Sequence, residues 1–323
     1  MKKQLYNLLK LAISVGLLVL LFRVFDFQES WRALKGIRLG YLAVAWVLFQ
    51  ATMVIRAFRW RYLLDALEVH VPLHRLIYLY YVGVFFNTFL PSGFGGDAVK
   101  MYELARYSHR AAESVSTVFV DRLAGLVVLF VLGLAALPFA YAALPTEVVA
   151  LLLAASVGGL LATWVLFQKR VIDRLIGVVP GALGRKLLGF YQSLHACGTR
   201  ALWQALRVSV LFNLVLFTMN YVLALALDVR LPFIYFAAFM PILSLSMMLP
   251  SVGALGTREG AYVLMFGPAG VAEPVAIAMS LAFYVVNVLT GLVGIVLYLG
   301  SALAGLGQKE GITTKAQRTQ RPE

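Results

Sequence analysis

The chain has 323 residues, of which 61% are hydrophobic and only 13% charged, and its net charge is +13. Soluble domains are about 45–50% apolar and about 25% charged. This composition therefore excludes a soluble globular protein, and unbroken apolar runs exclude a membrane β-barrel, whose strands alternate. The expectation is an all-α, polytopic helical membrane protein with one membrane domain over residues 1–307.

A spanning helix needs about 20 mostly apolar residues. The first such run, Leu5 to Phe22, follows Lys2 and Lys3 and resembles a signal peptide. Arg23-Val24-Phe25-Asp26 has no small-residue cleavage site, so the run reads as an uncleaved span. The second span is Leu39 to Ile55, closed by Arg56, Arg59 and Arg61 around Trp60. Those arginines read first as a cytoplasmic anchor and alternatively as a vestibule collecting anionic headgroups.

The run Leu76 to Leu90 is shorter and stops at Pro91-Ser92-Gly93-Phe94-Gly95-Gly96-Asp97. Spans follow at Val115 to Phe139 and Val148 to Phe167. Lys169 to Gln204 mixes apolar with basic residues and reads as an amphipathic pair on the cytoplasmic surface. After a span at Val208 to Leu227, another short run, Leu231 to Leu249, stops at Pro250-Ser251-Val252-Gly253-Ala254-Leu255-Gly256-Thr257-Arg258-Glu259. The last span lies within Val275 to Leu303. Residues 308–323 are polar and basic and read as a disordered tail.

Broken apolar segments at matching places in two halves are the best sequence pointer to a transporter's binding site. With the N-terminus inside and each broken run returning to its own side, the basic residues left outside are Arg23, Arg32, Lys35, Arg38 and Arg230. Most others fall inside, as the positive-inside rule requires. This arrangement has six full spans and two inverted re-entrant hairpins, with both termini cytoplasmic. The half-repeats are approximately 39–167 and 203–305, with the amphipathic segment 169–204 between them.

Charge at membrane depth costs about 2.5–3.5 kcal/mol on insertion scales, so Asp97, Asp121, Arg122, Arg258 and Glu259 each need an explanation. Helix neighbours point about 100° apart, so Asp121 and Arg122 do not suit one another. Asp121 with Arg258, and Arg122 with Glu259 or Asp97, would neutralise the cluster; the alternative puts all five at headgroup level. Gly95, Gly96 and Gly256 open half-helices whose N–H groups can cradle a phosphate, or else serve close helix packing. Lys100 follows the first break. Asn87, Asn213, Asn220 and Asn287 either bond between helices or line a hydrated path.

No nucleophile–base pair, Walker loop or metal-ligand spacing stands out. The four histidines fall between spans, Pro72 interrupts the His70/His74 pair, and Cys197 is alone. No cofactor, metal or catalytic residue is expected, and no nucleic-acid partner, since the basic residues are spread without a nucleic-acid motif. Anionic membrane lipids are the expected partner.

Arg56-Ala57-Phe58-Arg59-Trp60-Arg61-Tyr62-Leu63-Leu64, Asn87-Thr88-Phe89-Leu90-Pro91 with Gly95-Gly96-Asp97, Asp121-Arg122 and Leu255-Gly256-Thr257-Arg258-Glu259-Gly260 occur in an order that resembles the lysylphosphatidylglycerol synthase transmembrane-domain family. The resemblance covers about residues 5 to 305. It implies flippase-like handling of phospholipids or polyprenyl-phosphate-linked lipids at the cytoplasmic membrane. The best-understood members add a soluble aminoacyl-transferase domain, so this chain is expected not to synthesise the aminoacylated lipid. A membrane factor modifying lipid-linked glycans and a secondary transporter of a small anion are the alternatives.

Overall fold

Pro, Gly and short polar stretches divide the apolar sequence into nine helices among the described residues. A computed structural model describes residues 32, 34–89, 95–141, 144–168, 191–192, 195–249 and 256–318. The helices are α1 (Leu39–Asp65), α2 (Leu73–Phe89), α3 (Gly95–Ser108), α4 (Ala111–Ala140), α5 (Thr146–Leu166), α6 (Gly198–Ala226), α7 (Phe233–Ser246), α8 (Thr257–Phe266) and α9 (Glu273–Arg318). Among the described residues five stretches, α1, α4, α5, α6 and Glu273–Gly300 of α9, are long and apolar enough to cross a membrane. The chain is thus an all-helical, multi-pass membrane protein. The expected first span, the two Pro-containing breaks (residues 90–94 and 250–255) and residues 169–190 of the amphipathic segment lie outside the described residues.

Two boundaries correct the sequence reading. Residues 198–204 are not part of a separate surface helix but the first turns of α6, because Ala201 and Ala205 are buried against Leu63 and Val120. Helix α9 runs on through Arg318, into the segment read as a disordered tail. Residues 308–318 contain no proline and include good helix formers such as Lys309, Glu310 and Lys315.

The joints between helices recur. Ala66-Leu67-Glu68-Val69-His70-Val71-Pro72 leads from α1 to α2, and Ala226-Leu227-Asp228-Val229-Arg230-Leu231-Pro232 leads from α6 to α7. In both, the acidic residue is left-handed, with φ of 57° at Glu68 and 59° at Asp228. In both, the following valine N–H reaches back, Val69 to the Leu64 carbonyl at 3.0 Å and Val229 to the Ala224 carbonyl at 2.9 Å. A left-handed residue closing a helix with such a back-bond satisfies carbonyls the last turn leaves open. Left-handed residues also stand at two later joints, His109 before α4 and Gly270 before α9.

The packing recurs as well. Helix α2 lies on α9 and α7 lies on α4; α3 contacts α2 and α4, while α8 contacts α7 and α9; α1 and α6 pack most extensively and each also touches both α4 and α9. Helices α1 and α6 are antiparallel. Arg38 before α1 donates its N–H to the Ala226 carbonyl (3.0 Å) and pairs with Asp228 (2.5 Å) after α6. Near their other ends, Arg59 of α1 reaches Ser209 of α6.

Apolar burial supplies little drive between helices in lipid, so close packing must hold them. Phe236, Phe239 and Tyr262 surround Phe266 at ring-centroid distances of 5.4, 5.1 and 5.5 Å. Such aromatic pairs contribute about 0.5–1.5 kcal/mol each beyond area. A second cluster gathers Phe49, Met53, Trp60, Leu76, Leu79 and Phe283 from α1, α2 and α9. Helix α5 instead presents Leu151, Leu153, Val157, Leu161 and Trp164 outward, the character of a lipid-facing surface.

Candidate functional site

A cavity of about 300 Å³ opens between helices α1–α4 on one side and α6–α9 on the other. Its wall holds five cationic side chains, Arg56, Arg59, Lys100, Arg122 and Arg258, and two carboxylates, Asp97 and Asp121. Between them lie apolar residues such as Phe49, Leu126, Phe212 and Phe283. A charge in such surroundings is retained only when it is paired or when it serves a ligand.

The first pairing is made by α1, α2 and α4. Arg59 Nε donates to Asp121 Oδ1 at 2.6 Å, and the Tyr80 hydroxyl donates to Asp121 Oδ2 at 2.5 Å. Arg59 Nη1 also donates to the Ser209 hydroxyl of α6 at 3.0 Å. Gly125, one turn beyond Asp121, makes room for the guanidinium, because a Cβ there would stand 2.8 Å from Nη1. Arg59 and Asp121 are each 3% exposed.

The second group forms where α3 begins. Asp97 lies in the first turn of α3, where an acid is favoured by the helix dipole. Its Oδ1 accepts from Lys100 Nζ at 2.8 Å, one turn along, and its Oδ2 pairs with Arg122 Nε of α4. Lys100 Nζ also stands 4.3 Å from the Tyr80 ring centroid. The tight entry to α3 depends on Gly96: a Cβ there would overlap the Gly83 carbonyl, and the Gly96 N–H donates to Asn87 Oδ1 at 2.7 Å.

The third group opens α8. Gly256, at φ 87°, turns the chain into the helix, and its N–H donates to Glu259 Oε2 at 2.7 Å. Glu259 Oε1 accepts from Arg258 Nη2 at 2.6 Å and from the Ser280 hydroxyl of α9 at 2.8 Å. Arg258 Nε in turn donates to Ser280 at 2.6 Å. Both ionised groups are essentially inaccessible, at 2% and 1%.

Arg56 is the exception. Among the described residues it has no carboxylate within ion-pair distance. Its guanidinium lies over Tyr80 (4.8 Å) and Phe212 (5.6 Å), contacts Met53 Sδ at 3.0 Å, and leaves Nε without a hydrogen-bond acceptor.

The expected sites thus come together in part. Asp97, Lys100, Asp121, Arg122 and Arg258 line one cavity, with Arg56, Arg59, Asn87 and Asn287. Arg122 pairs with Asp97, one of the two partners expected. Asp121 does not pair with Arg258, because Arg59 on α1 takes it. Arg258 and Glu259 pair with each other, although they are neighbours, because Glu259 folds back to cap Gly256 and leaves its second oxygen toward Arg258. Arg59 is not a surface anchor; it lies buried inside the bundle.

The glycine N–H groups at positions 96 and 256 are not open cradles, since Asn87 and Glu259 already occupy them. Gly95 is buried at the start of α3. Asn220 does not line the cavity; it accepts from the Tyr262 hydroxyl at 2.8 Å and ties α6 to α8. Tyr80, Ser209 and Ser280 were not anticipated, since a lone hydroxyl in an apolar helix carries no sequence signal of its partner. Arg56 and Arg59, three apart, share a helical face, and that spacing is the one sequence signal for a common inward site. Among the described residues no group of three His, Cys, Asp or Glu side chains gathers to hold a metal. Burial pushes the Cys197 thiol up to about 11.

The family described as the lysylphosphatidylglycerol synthase TM region matches residues 7–294 of the chain. No curated protein and no solved structure matches it.

Proposed function

This chain belongs to the lysylphosphatidylglycerol synthase transmembrane family, and we propose that it carries an anionic phospholipid or polyprenyl-phosphate-linked lipid between the leaflets of the cytoplasmic membrane. The family places the chain in membrane lipid chemistry. The observation that carries the finer reading is the cavity, in which five cations face two carboxylates between two sets of helices. An anionic headgroup supplies the missing negative charge, while apolar walls and the surrounding lipid accept its chains.

The recurrent joints and contacts support reading α1–α4 and α6–α9 as an inverted repeat. A swap of α1 with α6, α2 with α7, α3 with α8 and α4 with α9 returns the same set of neighbours. The antiparallel α1/α6 pair orients the two sets oppositely. Helices α3 and α7 have 14 residues each and α8 has 10. At 1.5 Å per residue, 14 residues reach about 21 Å, short of a hydrocarbon core about 30 Å thick. We read α2–α3 and α7–α8 as re-entrant hairpins from opposite faces, meeting at the cavity. Inverted repeats rocking about a fixed midplane site are a recurrent form of alternating access.

Proteoliposomes holding a chain-labelled fluorescent phosphatidate test this reading. A membrane-impermeant quencher reaches only outer-leaflet lipid in empty vesicles. With the wild-type chain the protected fraction will become quenchable, and Arg56→Ala will slow that exchange about tenfold, the factor for one lost interaction of 1.4 kcal/mol. Equal protection with and without protein, across several anionic lipids, would remove the proposal.

A further inference from the structure

We infer that the headgroup bound in the cavity carries two negative charges, as in a phosphomonoester or diphosphate end, in preference to a monoanionic phosphodiester. The inference rests on the lipid-carrying reading above and narrows it.

The argument is charge balance in a poorly solvated place. Arg59 and Asp121 neutralise each other, as do Arg258 and Glu259. Two unbalanced charges remain. One belongs to the Asp97 group, where a single carboxylate is shared by Lys100 and Arg122. The other is Arg56, which has no carboxylate partner among the described residues.

Among the described residues the remaining walls do not cancel them: helices α6 and α9 contribute Phe212, Asn213, Tyr284 and Asn287. Among the described residues, five cations against three carboxylates, counting Glu259 behind Arg258, leave an excess of two. The excess sits at two separate points of the same wall rather than on one side chain. A phosphodiester headgroup with one charge leaves one of them uncompensated, and uncompensated charge away from water is costly. A phosphomonoester carries about −1.5 to −2 near neutral pH, with a second pKa of about 6.

The test measures binding of short-chain phosphatidate and of its methyl ester to the purified full-length chain in detergent micelles. The two probes share size and acyl chains, but the ester stays monoanionic. At about pH 7.5, above the second phosphate pKa, phosphatidate will bind about tenfold or more tightly than the ester. Its affinity will fall as pH drops through about 6 and its second proton returns. The ester's affinity will stay level, which separates titration of the ligand from titration of the protein. Arg56→Gln will cut the preference about tenfold, and Arg56→Lys will keep it.

Equal affinity for both probes, with both bound, would overturn the dianion inference and leave the anionic-lipid reading standing. Binding of neither would overturn both. Glycerol phosphate without acyl chains is the third probe, and its binding as tightly as phosphatidate would assign the site to a soluble phosphate. Should Arg56→Gln fail to fold, the wild-type ratio and its pH dependence still decide.

Discussion

Replacing Asp121 with Ala will destabilise the protein by about 3–5 kcal/mol, the usual cost of removing one member of a buried ion pair. The carboxylate accepts from Arg59 and from Tyr80, and both donors are buried with it. Its loss leaves the Arg59 guanidinium uncompensated beside apolar residues of α1 and α4. Asp121→Asn keeps one acceptor for Tyr80 but not the charge, and will fall between wild type and Ala. Removing both charges, Arg59→Leu with Asp121→Leu, will recover most of the stability, since well-packed apolar replacements of buried pairs are often neutral or better. Thermal unfolding in detergent, followed by size-exclusion profile, reads all four. A double variant no better than Asp121→Ala would show that the pair is not an isolated unit.

Glu259→Ala will be comparably severe for a different reason. One carboxylate here balances Arg258, accepts from Ser280 and caps the Gly256 N–H at the start of α8. Ala abolishes all three. Glu259→Gln retains an acceptor for the helix start and will recover about 0.5–2 kcal/mol, the range for helix N-caps. It still leaves Arg258 unbalanced, so it will remain well below wild type. The same unfolding measurement checks the order wild type, Gln, Ala. Equal stability of Gln and Ala variants would mean that the cap contributes nothing.

Much of this was legible in the chain itself. The apolar runs gave helices α1, α4, α5, α6 and α9 because a membrane permits few alternatives to a satisfied helix. The paired Leu-Pro-Ser breaks marked where α2 and α7 stop. The rule that charges at membrane depth seek partners offered Arg122 two acids, Glu259 or Asp97, and Asp97 is the one it meets. The rest depended on long-range geometry. Arg59 and Asp121 are separated by 62 positions, and an arginine at the end of an apolar run reads first as a membrane anchor. Glu259 was misassigned because neighbours on a helix diverge, a rule that fails when the side chain bends back to cap its own helix start. The recurring Ala-Leu-acid-Val joint at positions 66–69 and 226–229 is present in the sequence, but it is short and lies between the apolar runs.

The two breaks are also unequal in a way that bears on mechanism. At the first, Asp97 draws partners from α3 and α4 and leaves positive charge facing the cavity. At the second, Arg258 and Glu259 satisfy each other and Ser280, so that end is electrically closed. On the proposed reading, an anion engages the start of α3 and Arg56 more strongly than the start of α8.

The central claim is that the cavity is the route between leaflets, and cysteine accessibility tests it most directly. Asn287 and Ser244 line the cavity on α9 and α7 without joining an ion pair. In a Cys197→Ser background, Asn287→Cys and Ser244→Cys are exposed to an impermeant thiol reagent from one face of oriented vesicles, then from the other. The account predicts labelling from both faces, and protection from both when phosphatidate is present. Labelling confined to one face in both variants would contradict it.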